Sequence, residues 1–294
     1  MKLLPTATES RPPGAELATR LLGNRSPQAA FFCYHSISDG GPPFLSVPVD
    51  TFERQLAAMR RHGLAGAGTG ALGDLAEGRR PPSPRVFLTF DDGYVDNHDT
   101  AAPMLAEYGF TATVFVLPPY VDSASAFDWP EIRAWQQTHP EVMRSMSWPM
   151  IEALAERGIE IGSHGCRHSH LPDLGDEALR EELWSSREQI RARLGRCDVL
   201  AYPFGEWDDR VATAAADAGY SYAFSLPSAG QRHASPLSIP RINIDQRDRG
   251  PRFAAKLSPL GRRAYLSSVV GTVRRLRRDR YRVRHGHVTA QPGS

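Results

Sequence analysis

Apolar residues along this chain gather into short runs separated by longer stretches with helical spacing. Residues 30–34, 86–90, 112–117, 159–162, 198–202, 220–225 and 239–244 are apolar or aromatic runs of the length of a buried strand. Between the first two, Phe52, Leu56 and Met59 recur at helical spacing after Asp50, a candidate N-cap, and before Gly63, which stands just past the end. Further helices are predicted over 97–108, 148–157, 176–194 and 207–218. Gly109, Gly158, Gly195 and Gly219 follow them, where the left-handed residue that ends a helix is expected. Nearly every helix leads to a strand, and such β-α alternation implies a parallel sheet. Ligand-type residues or turns follow strand ends at His35, Asp91, His164 and Pro203. A closed or nearly closed α/β barrel with its site at the C-terminal mouth gathers these better than an open sheet does.

Two flanks fall outside this pattern. Residues 1–28, with Pro5, Pro12, Pro13 and Gly14 among polar neighbours, read as a flexible arm. Residues 259–294 set Arg274, Arg275, Arg277, Arg278, Arg280, Arg282 and Arg284 beside an apolar face of Tyr265, Leu266, Val269, Val270, Val273 and Leu276. A basic amphipathic helix of this kind suits peripheral contact with an anionic membrane or an acidic partner, or is simply a solvated terminal helix and tail. Between the flanks, residues 29–258 make a single domain, and 294 residues with 41% hydrophobic content support one sizeable core. Its longest irregular stretch, 118–146, carries Tyr120, Phe127, Trp129 and Trp135. Aromatic faces suit sugar rings, and equally serve to pack an extra helix on a barrel rim.

Charge and cysteine usage narrow the picture. A formal net charge of +2 gives no global signal for nucleic acid. Cys33, Cys166 and Cys197 are odd in number and lack paired spacing, which argues against a disulfide framework and fits a reducing compartment. The first 28 residues contain no apolar core of a signal peptide, and no run is long enough to span a bilayer, so a cytoplasmic location is expected.

The chemistry concentrates at two strand ends. The run 86–90 breaks off into Asp91, Asp92 and Gly93. Adjacent carboxylates repel and lose hydration there, so a cation suits them, although Asp-Asp-Gly is also a common acidic turn. The run 159–162 ends in Ser163-His164-Gly165-Cys166-Arg167-His168, with His170 beyond. Two imidazoles and a carboxylate form a facial set that leaves positions on a divalent metal open for water and substrate.

Thr89-Phe90-Asp91-Asp92-Gly93 together with Ser163 to His168 resembles the first two motifs of the polysaccharide deacetylases, carbohydrate esterase family four or the NodB-homology domain. The resemblance implies a distorted (β/α)7 barrel. It makes Asp91 the general base and Asp92, His164 and His168 the ligands of a divalent metal, usually zinc, with cobalt, nickel or manganese as alternatives. Cys166 and His170 are not expected to bind.

Ala201-Tyr202-Pro203-Phe204-Gly205 is similar to the family's third motif, Arg-x-Pro-Tyr-Gly, but Ala201 replaces the arginine that orients the base and Phe204 replaces the tyrosine. A backbone N–H at Phe204 can still hold an oxyanion. Arg241 is the candidate substitute for the missing arginine. The late Leu-x-His motif is absent, and His233 lies in a polar loop. A circularly permuted subgroup, similar to poly-N-acetylglucosamine deacetylases, has its acid histidine on the first strand and a Tyr-Pro-aromatic-Gly third motif. Residues 31–37 and 202–205 match that variant, and the resemblance covers about 29–245.

The match makes His35 the general acid, with a neighbouring carboxylate expected to raise its pKa. Tyr94, Trp129, Tyr202 and Trp207 are the candidate substrate contacts. The activity expected is deacetylation of an N-acetylated amino sugar, such as an intracellular saccharide, glycolipid precursor or aminosugar metabolite. Hydrolysis of a non-sugar amide or ester, and silent saccharide binding, are the alternatives.

Overall fold

Strand β1 (Ala29–Tyr34) is followed by the short β2 (Ser36–Ile37) and β3 (Ser46–Val47), helix α1 (Val49–Arg61), β4 (Ala65–Gly66), α2 (Ala71–Ala76) and β5 (Arg85–Phe90). A π-helical turn, Asn97–Ala101, runs into α3 (Ala102–Tyr108), then come β6 (Ala112–Val116), α4 (Arg133–Thr138), α5 (Trp148–Glu156), β7 (Glu160–Ser163), α6 (Asp176–Leu194) and β8 (Val199–Ala201). The chain ends in α7 (Asp209–Asp217), β9 (Tyr222–Ser225), β10 (Ile239–Pro240), β11 (Ile242–Asn243), α8 (Gly250–Leu257) and α9 (Pro259–Tyr265). These elements come from a computed structural model that describes residues 29–76, 79, 81–122, 127, 129–130, 132–227 and 235–266. The 1–28 arm, His233 and the arginine-rich part of the C-terminal helix lie outside the described residues.

The strands are parallel and run in the order β10-β9-β8-β7-β6-β5-β1-β11, with β4 paired to β5 off this row. Only Arg241 separates the two end strands, so β10 and β11 are halves of one segment. One half pairs with β9 and the other with β1. Eight strands in the row, two of them one interrupted strand, give a ring of seven positions. This is the distorted (β/α)7 barrel that the family resemblance implies.

Alternation along each strand divides the core in two. Phe32 and Tyr34 of β1, and Val86, Leu88 and Phe90 of β5, pack outward in the larger cluster with Phe52, Leu56 and Met59 of α1. The intervening Phe31 and Phe87 join Phe115, Val199, Ala201, Phe224 and Ile239 in the barrel interior. Phe31 stacks on Phe87 at 4.5 Å between centroids, and each such ring, fully buried, contributes roughly 1.5–3 kcal/mol. Gly162 on β7 is required by this filling. A Cβ there would lie 2.6 Å from the Phe115 ring and 2.7 Å from Val199 Cγ2.

Several boundaries differ from the sequence-based ones. Pro48, not Asp50, caps α1, and Asp50 sits in the first turn, paired with Arg54. Helix α7 starts after Asp208 because that carboxylate accepts the Val211 N–H at 2.8 Å, which leaves Trp207 in the preceding loop. The predicted strand over 239–244 is interrupted at Arg241. Helix α9 opens the stretch expected to form a basic terminal helix and tail, and Tyr265 and the following Leu266 pack on the barrel core. No helix among the described residues is long and apolar enough to cross a membrane.

Candidate active site

Asp91 and Asp92 leave the C-terminal end of β5, and His164 leaves that of β7 two strands away. Parallel pairing of β5, β6 and β7 brings both ends to one mouth. The turns there are tight: Asp92, His168 and Phe204 have φ of 72°, 53° and 58°, a left-handed conformation uncommon outside glycine. Backbone strain at three positions around one point marks a site held by its surroundings. Buried Glu182 of α6 supplies part of that hold. Its Oε1 accepts the N–H groups of Cys166 at 2.9 Å and Arg167 at 2.6 Å, which fixes the loop carrying His168.

Asp92, His164 and His168 each bring a donor atom into one buried group. Asp92 Oδ1 lies 3.4 Å from His164 Nε2 and 3.5 Å from His168 Nε2, and finds no hydrogen bond among the described residues. A tetrahedral ion with bonds of about 2.1 Å spaces its donors by about 3.4 Å, so the group fits a zinc-sized cation. The His164 tautomer fits too. Its Nδ1 is 2.8 Å from the Ala201 carbonyl, which only accepts, so Nδ1 carries the proton and Nε2 offers its lone pair. Trp129 stacks on the His168 ring at 4.3 Å, and the edge of Phe204 meets it at 4.4 Å. Cys166 and His170 stand outside this donor group; His170 instead stacks on Phe204 and bonds Glu206 at 2.9 Å.

Asp91 belongs to a different arrangement. Arg241, with no exposed surface, forks onto it, Nη1 to Oδ1 at 2.6 Å and Nη2 to Oδ2 at 2.8 Å. The guanidinium rests near the Phe115 and Phe224 rings, 5.5 and 5.7 Å from their centroids, and Nη1 also donates to Thr89. Burial alone would raise the Asp91 carboxyl, but the charges of Arg241 and then His164 hold it well below the usual carboxylate range. Asp91 Oδ2 is 4.0 Å from His164 Nε2, on the same side as the donor group.

His35 follows β1, which pairs directly with β5, and a ring nitrogen lies within 4.8 Å of Asp91 and Cys33 donor atoms. Asn97 Nδ2 donates to the His35 carbonyl at 2.7 Å, and Asp96 accepts from Ser36 and Ile37 just beyond. The carboxylates expected beside His35 are there, but the expected direction of its pKa is corrected. Burial lowers it, and this outweighs the opposing charges of Asp92 and Asp91.

The aromatic expectations divide. Tyr94 and Tyr202 have no exposed surface, so neither offers a face to substrate. Tyr94 packs edge-on to Phe127 at 5.2 Å, and the Tyr202 hydroxyl donates to the Leu237 carbonyl at 2.8 Å. Trp129 is nearly buried against His168, whereas Trp207 is partly exposed beside Tyr202. Cys33 and Glu182 escaped the sequence reading. Cys33 stands on β1 two residues before His35, which follows that strand; a helix glutamate capping a distant loop leaves no signal in the sequence.

The family model described as polysaccharide deacetylase matches residues 78–223. YxkH of Bacillus subtilis, whose name places it among polysaccharide deacetylases, is 25% identical over 232 residues, 77% of this chain and 75% of that protein. The poly-beta-1,6-N-acetyl-D-glucosamine N-deacetylase of Escherichia coli is 26% identical over 260 residues, 76% of this chain but only 38% of the enzyme's length. Among solved structures, the Streptococcus pyogenes deacetylase PplD in complex with acetate superposes with a TM-score of 0.66 at 22% identity, covering 79% of this chain and 98% of that one. IcaB from Ammonifex degensii gives 0.63 at 21% identity, with 78% and 97% covered. At these identities the two structures speak for the fold.

Proposed function

Because the chain belongs to the polysaccharide deacetylase family, we propose that it is a metal-dependent N-deacetylase hydrolysing the acetamide of an N-acetylated amino sugar. The observation that carries this reading is the pairing of a fully buried Arg241 fork on Asp91 with the neighbouring Asp92–His164–His168 donor group. One carboxylate is thereby kept for proton transfer and the other for a cation.

Asp92, His164 and His168 would hold the divalent ion, which when bound makes water more acidic and polarises an acetyl carbonyl. Asp91, ionised throughout the working range, takes the proton of the attacking water. Its fork with Arg241 fixes the carboxylate plane, so the arginine performs the orienting task that Ala201 cannot. The N–H of Phe204 is the proposed backbone donor to the developing oxyanion.

His35 then protonates the departing amine, without which the leaving group would be an amide anion. With its pKa lowered, it enters as the neutral ring. The proton it gives is the one Asp91 received, passed across a donor group no wider than 4.8 Å. Proton balance therefore needs no outside acid. Trp207 is the partly exposed aromatic proposed to meet a sugar ring. The substrate class spans intracellular saccharides, glycolipid precursors and aminosugar metabolites, as well as N-acetylglucosamine polymers.

The test is mass spectrometry of N-acetylated mono-, oligo- and polysaccharides incubated with the protein, with and without Zn2+. Loss of one acetyl group from a sugar, only with metal, is expected. Asp91→Asn should keep the metal and lose turnover; a metal-free Asp91→Asn would mean that the two acids exchange roles. His35→Ala should lose roughly two to four orders of magnitude on the amide and far less on an activated ester, whose leaving group needs no proton.

A further inference from the structure

A second donor group adjoins the first. Cys33 lies on β1 and His35 stands just past its end. With Asp91 they bring a thiol, an imidazole nitrogen and a carboxylate oxygen within 4.8 Å of one another. Cys33 Sγ is 3.3 Å from Asp91 Oδ2, close to the spacing of about 3.6 Å that a tetrahedral ion imposes on one thiolate and one carboxylate. His35 Nδ1 is buried and has no hydrogen-bond partner among the described residues. Burial of an unsatisfied ring nitrogen costs free energy that a ligand would return.

We propose that Cys33, His35 and Asp91 form a second, weaker site for a thiophilic divalent ion such as Zn2+ or Cd2+, and that filling it inhibits the enzyme. A thiolate among three donors selects soft and borderline ions over Mg2+ or Mn2+. Arg241 makes one bond to each Asp91 oxygen, and a carboxylate oxygen accepts more than one, so the fork leaves room for coordination. The guanidinium charge repels a dication, which makes this the weaker of the two sites. Cys33 itself has no exposed surface, so the ion enters past the partly exposed His35. Binding forms a sulfur–metal bond and breaks the S–H bond, the proton going to solvent. The inhibition, though not the binding, rests on the reading of Asp91 as base and His35 as proton carrier, because an ion there takes the lone pairs that move the proton.

Titration of the metal-free full chain with Co2+ tests this, read by bound metal per chain and by near-ultraviolet thiolate-to-cobalt charge transfer. Wild type should bind about two equivalents, the charge-transfer band growing with the second. Cys33→Ser and His35→Ala should each bind about one, without the band in Cys33→Ser, while His164→Ala should keep the band and lose the other equivalent. A single equivalent without a thiolate band, or a band that survives Cys33→Ser because it arises at Cys166 or Cys197, overturns the site. Excess Zn2+ should inhibit wild type more than tenfold relative to its rate at one equivalent, and Cys33→Ser less than twofold relative to its own; equal inhibition of both overturns the regulatory part. Failure to deacetylate any sugar would leave the cobalt stoichiometry intact as a measure of the site, so the two readings fail separately.

Discussion

Arg241 is fully buried, and a guanidinium removed from water needs a carboxylate to hold its charge. Asp91 meets that need with both oxygens, so each residue balances the other's buried charge. Arg241→Met should therefore cost about 3–5 kcal/mol by leaving a buried carboxylate unpaired. The double variant with Asp91→Asn should recover much of that loss. Urea unfolding of the four proteins in this cycle measures the coupling, and additive losses would mean the pair is not a unit. At this scale Asp91, Asp92, His164, His168 and His35, which the structure brings to one mouth, stand out in the sequence as ligand-type residues at or just beyond strand ends. Arg241 was harder to see. It is one arginine in an arginine-rich chain, and only its place inside the apolar run Ile239-Pro240-Arg241-Ile242 distinguished it. The pKa of His35 was not legible at all, because its sign depends on how much water the folded barrel removes, and no local pattern encodes that.

Strand β7 illustrates how an element constrains its neighbours. Gly162 gives Phe115 the space that its ring occupies, and the same ring supports Arg241 from below. Gly162→Ala should destabilise the protein by about 1–3 kcal/mol through overpacking. Gly68→Ala, where an added Cβ meets nothing within 4 Å, should stay within about 0.5 kcal/mol. Equal denaturant midpoints for the two variants would remove the argument. The periodic signals located most helices and strands but shifted some of their ends, because a helix start depends on local backbone geometry and capping that apolar spacing does not carry. Asp208 caps α7, and the sequence reading started that helix at the apolar Trp207 instead. The break at Arg241 was hidden because residues 239–244 look continuous, and the interruption arises only when one segment must pair with two different strands.

For the molecule as a whole, an ion held by the proposed donor group would link that group to global stability. Divalent metal at a hundred times its dissociation constant should add about 2.7 kcal/mol, read as a rise in Tm. The His164 imidazole in the metal-free protein has its pKa raised: burial lowers it, but Asp91 and then Asp92 outweigh this. Its contribution to the metal-free fold is thus present at low pH and lost as pH rises through that raised value. Metal protection runs the other way, since the ion competes with the His164 proton. His168, lowered to about 3, is already deprotonated in this range. Scanning calorimetry from pH 5 to 8 should therefore show a metal-dependent Tm increment that grows with pH. A constant increment would detach His164 from the ion.

The segment that completes the ring also carries the arginine that secures Asp91, 150 residues earlier in the chain. Synthesis delivers these parts in a fixed order. A growing chain acquires Asp92, His164 and His168 while the barrel still lacks its last strand, and Arg241 follows only with residues 239–243. Until then Asp91 has no buried cation to offset its desolvation, so the inner face of β5 is best kept hydrated. Closing the ring joins residues of long sequence separation, the kind of contact that slows folding. A chain that stops short of Arg241 would thus carry the proposed metal ligands while the proposed base lacks its partner.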